Sequence, residues 1–317
     1  MHPAGSIILF TTASGLGYGL LFVTGIGAAF GLLPTNMWFG ILILGLALGT
    51  ISIGLLSSTF HLGHPERAWR AVTQWRSSWL SREGVMAILV YGPTFYFAAG
   101  WVLFDQDLHA WRAAGLVMAV GSAITVYCTA MIYASLKSIP RWHNRWVAAV
   151  YLSLALMSGV MWLVALWAFF LPVSPILTFC ALLAIGVGFV CKFCYWRHID
   201  GADAVATAES ATGLGTTGTT RLLEPPHTGR NYLLEEMGYQ VARKHAAKLR
   251  LLALILAFAV PTVCILAIAL SSGAIATVLA VLAATSAQLG VTVERWLFFA
   301  EAEHVVMLYY GKDQVRG

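Results

Sequence analysis

Charge is what this chain has least of. Asp, Glu, Lys and Arg make up 10% of its 317 residues, against about a quarter in soluble domains, so packing in water is excluded as its main design. None of the four occurs from Met1 to Pro65, Gly84 to Phe104, Ala113 to Leu136, Trp146 to Cys191 or Leu251 to Val293. Cysteine is scarce as well. The five present (Cys128, Cys180, Cys191, Cys194, Cys264) form no secreted disulfide framework. Cys191-Lys-Phe-Cys194, a lone CxxC at a helix end, has no second pair to complete a zinc set and reads as packing. Histidine is missing from mid-span: His2, His61, His64, His109, His143, His198, His227, His245 and His304 all fall at span ends or in loops. That argues against a haem between paired histidines inside a bilayer and leaves an edge pair, His61 with His304, as the residual form. The opening Met1-His2-Pro3 lacks the positive region of a signal peptide.

What the chain has instead is apolar length, with 59% hydrophobic residues and a mean hydropathy of +0.77. About twenty residues at 1.5 Å rise cross a hydrocarbon core of roughly 30 Å, so the long uncharged stretches hold two helices each and the short ones a single helix. Turn residues divide the long stretches at Gly31-Leu-Leu-Pro34-Thr-Asn36, Leu171-Pro172-Val-Ser-Pro175 and Ser271-Ser-Gly273. The expected spans are 5–31, 37–60, 83–104, 113–135, 146–170, 175–196, 250–270 and 275–300. Lipid offers no hydrogen bonds to an open backbone, and the spans are apolar all round rather than alternating, so they are helices and not barrel strands.

The fold class is therefore an all-α integral membrane protein, a bundle of about eight transmembrane helices forming one domain over 1–317, with a loop at about 197–249. Eight spans put both termini on one side. Arg112 stands alone on the other, while the remaining eighteen of nineteen Lys and Arg lie in the even connections and the C-terminal end. The positive-inside rule then makes both termini and the large loops cytoplasmic, although a basic face also suits docking of an acidic partner. Within the long loop, Ala211 to Thr220 is Gly/Thr-rich and expected to be extended and mobile unless a partner orders it. Asn231 to Arg250 has acidic residues early and basic ones late, the order of a helix.

The connection between spans two and three holds the densest polar text, Phe60-His61-Leu-Gly-His64-Pro65-Glu66-Arg67-Ala-Trp69-Arg70 and then Trp75-Arg76-Ser-Ser-Trp79-Leu-Ser-Arg82-Glu83-Gly84. His61 ends one apolar helix and Glu83 opens the next. If these spans are antiparallel neighbours, the two side chains meet at one membrane depth. That suits a quinone, whose reaction moves two electrons and two protons and needs an apolar slot flanked by titratable groups. The plainer readings are interfacial arginines, belt tryptophans, a Glu83 paired with an arginine and a packing His61. His64 precedes Pro65, which disfavours helix there, so it need not face as His61 does. The cluster Glu294-Arg295-Trp296 to Glu301-Ala-Glu303-His304 reads as a salt-bridged helix end at the interface.

These residues resemble the dimethyl sulfoxide reductase anchor-subunit family. Its members carry a similar His-Leu-Gly-x-Pro-x-Arg-Ala loop, matched by His61 to Ala68, and a Ser-Trp-Leu-Ser-Arg-Glu run, matched by Ser78 to Glu83. Asn231 to Gly238, His245 to Arg250 and Glu294 to Ala302 also look like family text. The resemblance implies an anchor, without catalysis of its own, for an iron–sulfur electron-transfer subunit docked on the cytoplasmic face and a molybdopterin catalytic subunit. Those subunits hold the molybdopterin and iron–sulfur clusters. The anchor sits among lipids of a bacterial inner membrane, contacts no nucleic acid and exchanges electrons with ubiquinone or menaquinone. The family's quinol-binding histidine and glutamate carry over to His61 and Glu83, with Arg67, Arg82 and His64 as neighbours in the same motifs. The opening Met1 to Thr12 with Gly15-Leu-Gly-Tyr-Gly19 looks more like the branch that passes electrons from cytoplasmic sulfite to quinone than like the menaquinol-oxidising reductases. Rival classes are a secondary transporter, which wants ionisable groups at the midplane, and a proton-pumping relative of polysulfide reductase, which wants buried carboxylates. On the sequence both groups are absent.

Overall fold

The computed structural model describes residues 2–59, 64–104, 111–215, 218–224, 226, 229, 231, 234, 236–237 and 245–316. Among them are eight helices long and apolar enough to cross a membrane. We label them α1 (Gly5–Ala29), α2 (Met37–Thr59), α3 (Trp79–Leu103), α4 (Arg112–Ala134), α5 (Trp146–Trp167), α6 (Pro175–Asp200), α7 (Ala246–Ile268) and α8 (Gly273–Ala300). Their ends follow local chemistry. Gly31, at φ 65, turns the chain out of α1. Ser174 caps α6 by accepting from Leu177 N at 3.2 Å, with Pro175 in the first turn. Gly273, at φ 58, opens α8.

Two ends differ from expectation. Helix α3 begins four residues early, at Trp79, because Ser78 accepts a cap bond from Ser81 N at 3.4 Å. Helix α6 runs on to Asp200, and Arg197 and His198 in its last turn face the negative end of the helix dipole.

Helices α1 and α5 form the axis of the bundle. Each is 72% buried over its most apolar stretch, against 33% for α3 and α6. They cross at Gly19 and Gly159, where a Cβ on either residue would overlap the other helix's backbone, the close approach that small residues allow where lipid gives no hydrophobic drive. Helix α2 packs along α1, α4 along α1 and α3 along α4; on the other flank α6 and α8 pack on α5, and α7 lies against α8. Outward-facing Leu42, Ile53, Leu89, Val117, Leu183 and Val278 are exposed, as a lipid-facing surface requires. Spans two and three are not the closely packed neighbours their shared loop suggests. They follow α1 and α4 respectively and stay loosely apposed, linked by Ser52 and Tyr91 hydroxyls 2.8 Å apart.

The even connections and the C-terminal segment gather at one end, the basic face. There the strands β1 (Ala204–Thr207) and β2 (Gln314–Arg316) pair antiparallel, Ala206 opposite Val315, and tie the C-terminal segment to the chain leaving α6. The segment expected to be extended starts differently. A capping box at Thr207 and Ser210 nucleates a one-turn helix, Ala208–Thr212, which Gly213 closes at φ 71. The Glu209 carboxylate then accepts from Thr220 N at 3.2 Å. The helix expected over Asn231 to Arg250 falls largely outside the described residues; its last part, from Ala246, is the first turn of α7.

Candidate functional site

The sequence candidates divide by environment. His61 lies outside the described residues. His64 is exposed and its Nδ1 is 2.9 Å from Glu66 Oε1; Arg67 is exposed too, 3.7 Å from the same oxygen. Both belong to the loop around a short 3-10 helix, Pro65–Val72. Arg82 lies over the Trp79 ring, 4.2 Å from its centroid, and donates to the carbonyls of Trp75 at 3.0 Å and Arg76 at 2.7 Å. It pins this loop to the first turn of α3. Ser81 donates to the Ala71 carbonyl from the same turn.

Glu83, one residue on, points the other way. It is 4% exposed, and its carboxylate accepts from the Thr129 hydroxyl of α4. The sequence placed it at the lipid boundary or against an arginine. The structure turns it into the bundle, because α3 packs on α4 and successive helical positions lie about 100° apart. Arg82 and Glu83 thus serve opposite sides of one turn.

A second polar cluster lies at the same end of the bundle, on α6 and α8. Lys192 of α6 pairs with Glu294 of α8, and Arg295 Nε donates to the other oxygen of Glu294 at 2.6 Å. All three are at most 2% exposed. The expected salt-bridged helix end is found at Glu301 and Glu303, paired with Arg250 and Lys312, whereas Glu294 and Arg295 belong to a buried triad; the buried carboxylates read as absent are present as Glu83 and Glu294. The sequence did hold a weak signal: Lys192 and Glu294 each break an apolar run in which water has no place. Aromatic rings seal the triad. Arg295 lies 3.9 Å from the Tyr151 centroid and 5.2 Å from that of Phe298, while Lys192 lies 4.2 Å from Tyr195 and 4.7 Å from Trp196. Trp142 stacks on Phe298 and donates to its carbonyl at 3.0 Å. Nearer the basic face, Arg250 of α7 binds Glu301 at 2.9 Å and both Asp200 oxygens at 2.5 and 3.0 Å, clamping α6, α7 and α8.

Counted from the helix ends on the basic face, Glu83, Thr129, Tyr151, Glu294 and Lys192 lie on the order of 6–12 Å deep at 1.5 Å per residue. They form one polar layer. Two cavities adjoin it. A cavity of about 20 Å³ is lined by Thr11, Thr12, Thr129, Tyr151, Ser158 and Arg295, among others. A larger one of about 310 Å³ has an almost wholly apolar lining that includes Tyr18, Phe22, Val126, Leu152, Val187 and Cys191. Val126 and Ala155 border both. The Tyr18 hydroxyl, buried, has no hydrogen-bond partner among the described residues.

Comparison with known proteins agrees with a multi-pass membrane bundle. The family described as DMSO reductase anchor subunit (DmsC) matches residues 1–301. A sulfite dehydrogenase subunit from Allochromatium vinosum is 32% identical over 328 aligned positions, which take in 98% of this chain and 99% of that protein.

Proposed function

Since the chain belongs to the DMSO reductase anchor subunit family, we propose that it anchors a molybdopterin and iron–sulfur oxidoreductase and exchanges electrons with a membrane quinone. In this reading the basic face is cytoplasmic and receives the iron–sulfur subunit, and the electrons come from sulfite. The sulfite direction takes support from the relative, which is named for it and matches over nearly its whole length. The family description itself names DMSO reductase, which favours the reverse flow, from menaquinol, as the second reading. Reconstituting the complex with its soluble subunits and supplying sulfite or dimethyl sulfoxide as sole substrate separates the two.

The observation that carries the quinone reading is Glu83, a carboxylate buried just under the basic face and bonded to Thr129 of α4, the helix whose Val126, three residues deeper, lines the apolar cavity. The residues present fit a quinone. The 310 Å³ cavity offers an oily lining with one uncommitted donor, the Tyr18 hydroxyl, and a quinone ring needs an apolar slot with few, well-placed polar contacts. A bound quinone supplies a two-electron, two-proton acceptor. Glu83 and His61 exchange the protons, one each. Arg82 fixes the Trp75–Arg76 end of the connection against α3, and Arg67 and His64 are exposed within it.

Glu83→Gln and His61→Ala are each expected to abolish quinone-linked turnover, a loss of roughly 10²-fold or more for a positioned acid–base group. Activity with a soluble artificial acceptor should survive. Parental quinone turnover in both variants would refute the site.

A further inference from the structure

The buried triad has a charge left over. Lys192 and Arg295 share the single carboxylate of Glu294, and the next carboxylate along α8, Glu301, is committed to Arg250. Burying such a set is costly unless every charge is answered. Arg295 is not fully answered: beyond Glu294 its guanidinium is met by the Tyr151 side chain, and neither terminal nitrogen has a well-aligned hydrogen bond among the described residues, although the side chain is 3% exposed. Arg295 borders the 20 Å³ cavity, and Thr129, which donates to Glu83, lines it too. A cavity of that volume, with hydroxyl-bearing residues and an arginine in its lining, has room for about one water molecule. Its hydroxyls are suited to accept from water or guanidinium, because Thr11, Thr12 and Ser14 spend their own protons on carbonyls a turn back in α1.

We propose that a water held between Thr129 and Arg295 links Glu83 to the Lys192–Glu294–Arg295 triad, making the triad a positioning and charge-balancing group for the quinone-reactive carboxylate. Arg295 donates to the water, the water donates to the Thr129 oxygen, and Thr129 donates to Glu83. The inference rests on the quinone reading above. Two electrons arrive from the iron–sulfur subunit, and Glu83 and His61 each give up one proton. Glu83 is then a carboxylate, and the triad's unpaired positive charge stabilises it through this chain until a proton returns. The triad itself exchanges no proton. Its lysine adds the second positive charge, and its glutamate keeps the first one buried.

Three variants test the link in the assembled complex. Thr129→Val removes the bridging hydroxyl at constant shape. Ser158→Val puts methyl groups where the cavity wall has a hydroxyl. Lys192→Met cancels the surplus charge while leaving Glu294 paired with Arg295. Each should lower kcat for quinone about tenfold with KM unchanged, and Thr129→Val combined with Lys192→Met should be no slower than either alone, since coupled sites are not additive. A cryo-EM map that resolves ordered water elsewhere in the bundle should show a peak between Thr129 Oγ1 and Arg295 Nη in the parent and none in Ser158→Val. A dry cavity in the parent, or simple multiplication of the two rate losses, would overturn the link while leaving the quinone site in place. Glu83→Gln, run alongside, separates the cases: parental turnover there removes the site itself.

Discussion

Two groups of charged residues sit in contrasting surroundings. Around the 3-10 helix Pro65–Val72, His64, Glu66, Arg67, Arg70 and Arg76 stand exposed, each in contact with a sequence neighbour: His64 and Arg67 with Glu66, Arg70 with Trp69, Arg76 with Trp75. In the bundle, Lys192, Glu294 and Arg295 come from two different helices and are sealed by aromatic rings. Water screens the first group, so no single pair there matters much. The second group has no water to fall back on, so each charge depends on its partner. Glu83 and Arg82 stand at the join of the two regions, adjacent in sequence and opposite in environment.

The comparison breaks most visibly at Glu294. Replacing it with alanine strands two buried cations, at a cost of about 3–5 kcal/mol, and should nearly abolish recovery of the assembled bundle from membranes. An unchanged yield and melting temperature would show that the triad is hydrated after all. Arg82→Gln should have a middling effect. It gives up two donations to loop carbonyls and the contact with Trp79, worth about 1–3 kcal/mol of loop order. Deuterium exchange across residues 65–78 should rise while the spans stay protected, and KM for quinone should increase severalfold.

Arg70→Gln, by contrast, should change stability by no more than about 0.5 kcal/mol. Thermal unfolding in detergent checks it, and a loss as large as that of Glu294→Ala would erase the distinction between the two regions. The smallest effect belongs to His304, outside the spans, where partial burial holds the imidazole below its ordinary range. Its Nδ1 accepts from Val306 N at 3.0 Å, so the neutral ring is the one that caps. The folded value is depressed, so this contribution is present above the unfolded value near 6.5 and fades as pH falls through the folded one. The protection factors of the Gln314–Arg316 amides, which take out the intrinsic slowing of exchange in acid, should fall on acidification, and His304→Asn, which caps at any of these pH values, should remove the dependence.

Gly31, Ser174 with Pro175, and Gly273 marked the helix breaks because each acts on its own backbone or its immediate neighbours. Ser78 was the exception, a cap hidden among loop residues that moved the start of α3 back to Trp79. Glu83 stood out as the acid opening a helix, but its donor Thr129 did not, since nothing in α4 marks it over Thr125, the other threonine of that helix. His61, the other half of the proposed pair, falls outside the described residues.

Local sequence determined the number of spans, their approximate ends and their helical form, because apolar length and backbone hydrogen bonding in lipid are properties of each segment alone. It also determined that loop charge lies overwhelmingly on one side. Tertiary structure alone decided that α3 follows α4 instead of α2, that Glu83 turns inward, and that Lys192, Glu294 and Arg295 meet. These depend on which helices approach closely, as α1 and α5 do at Gly19 and Gly159, and such packing is settled between segments far apart in the chain.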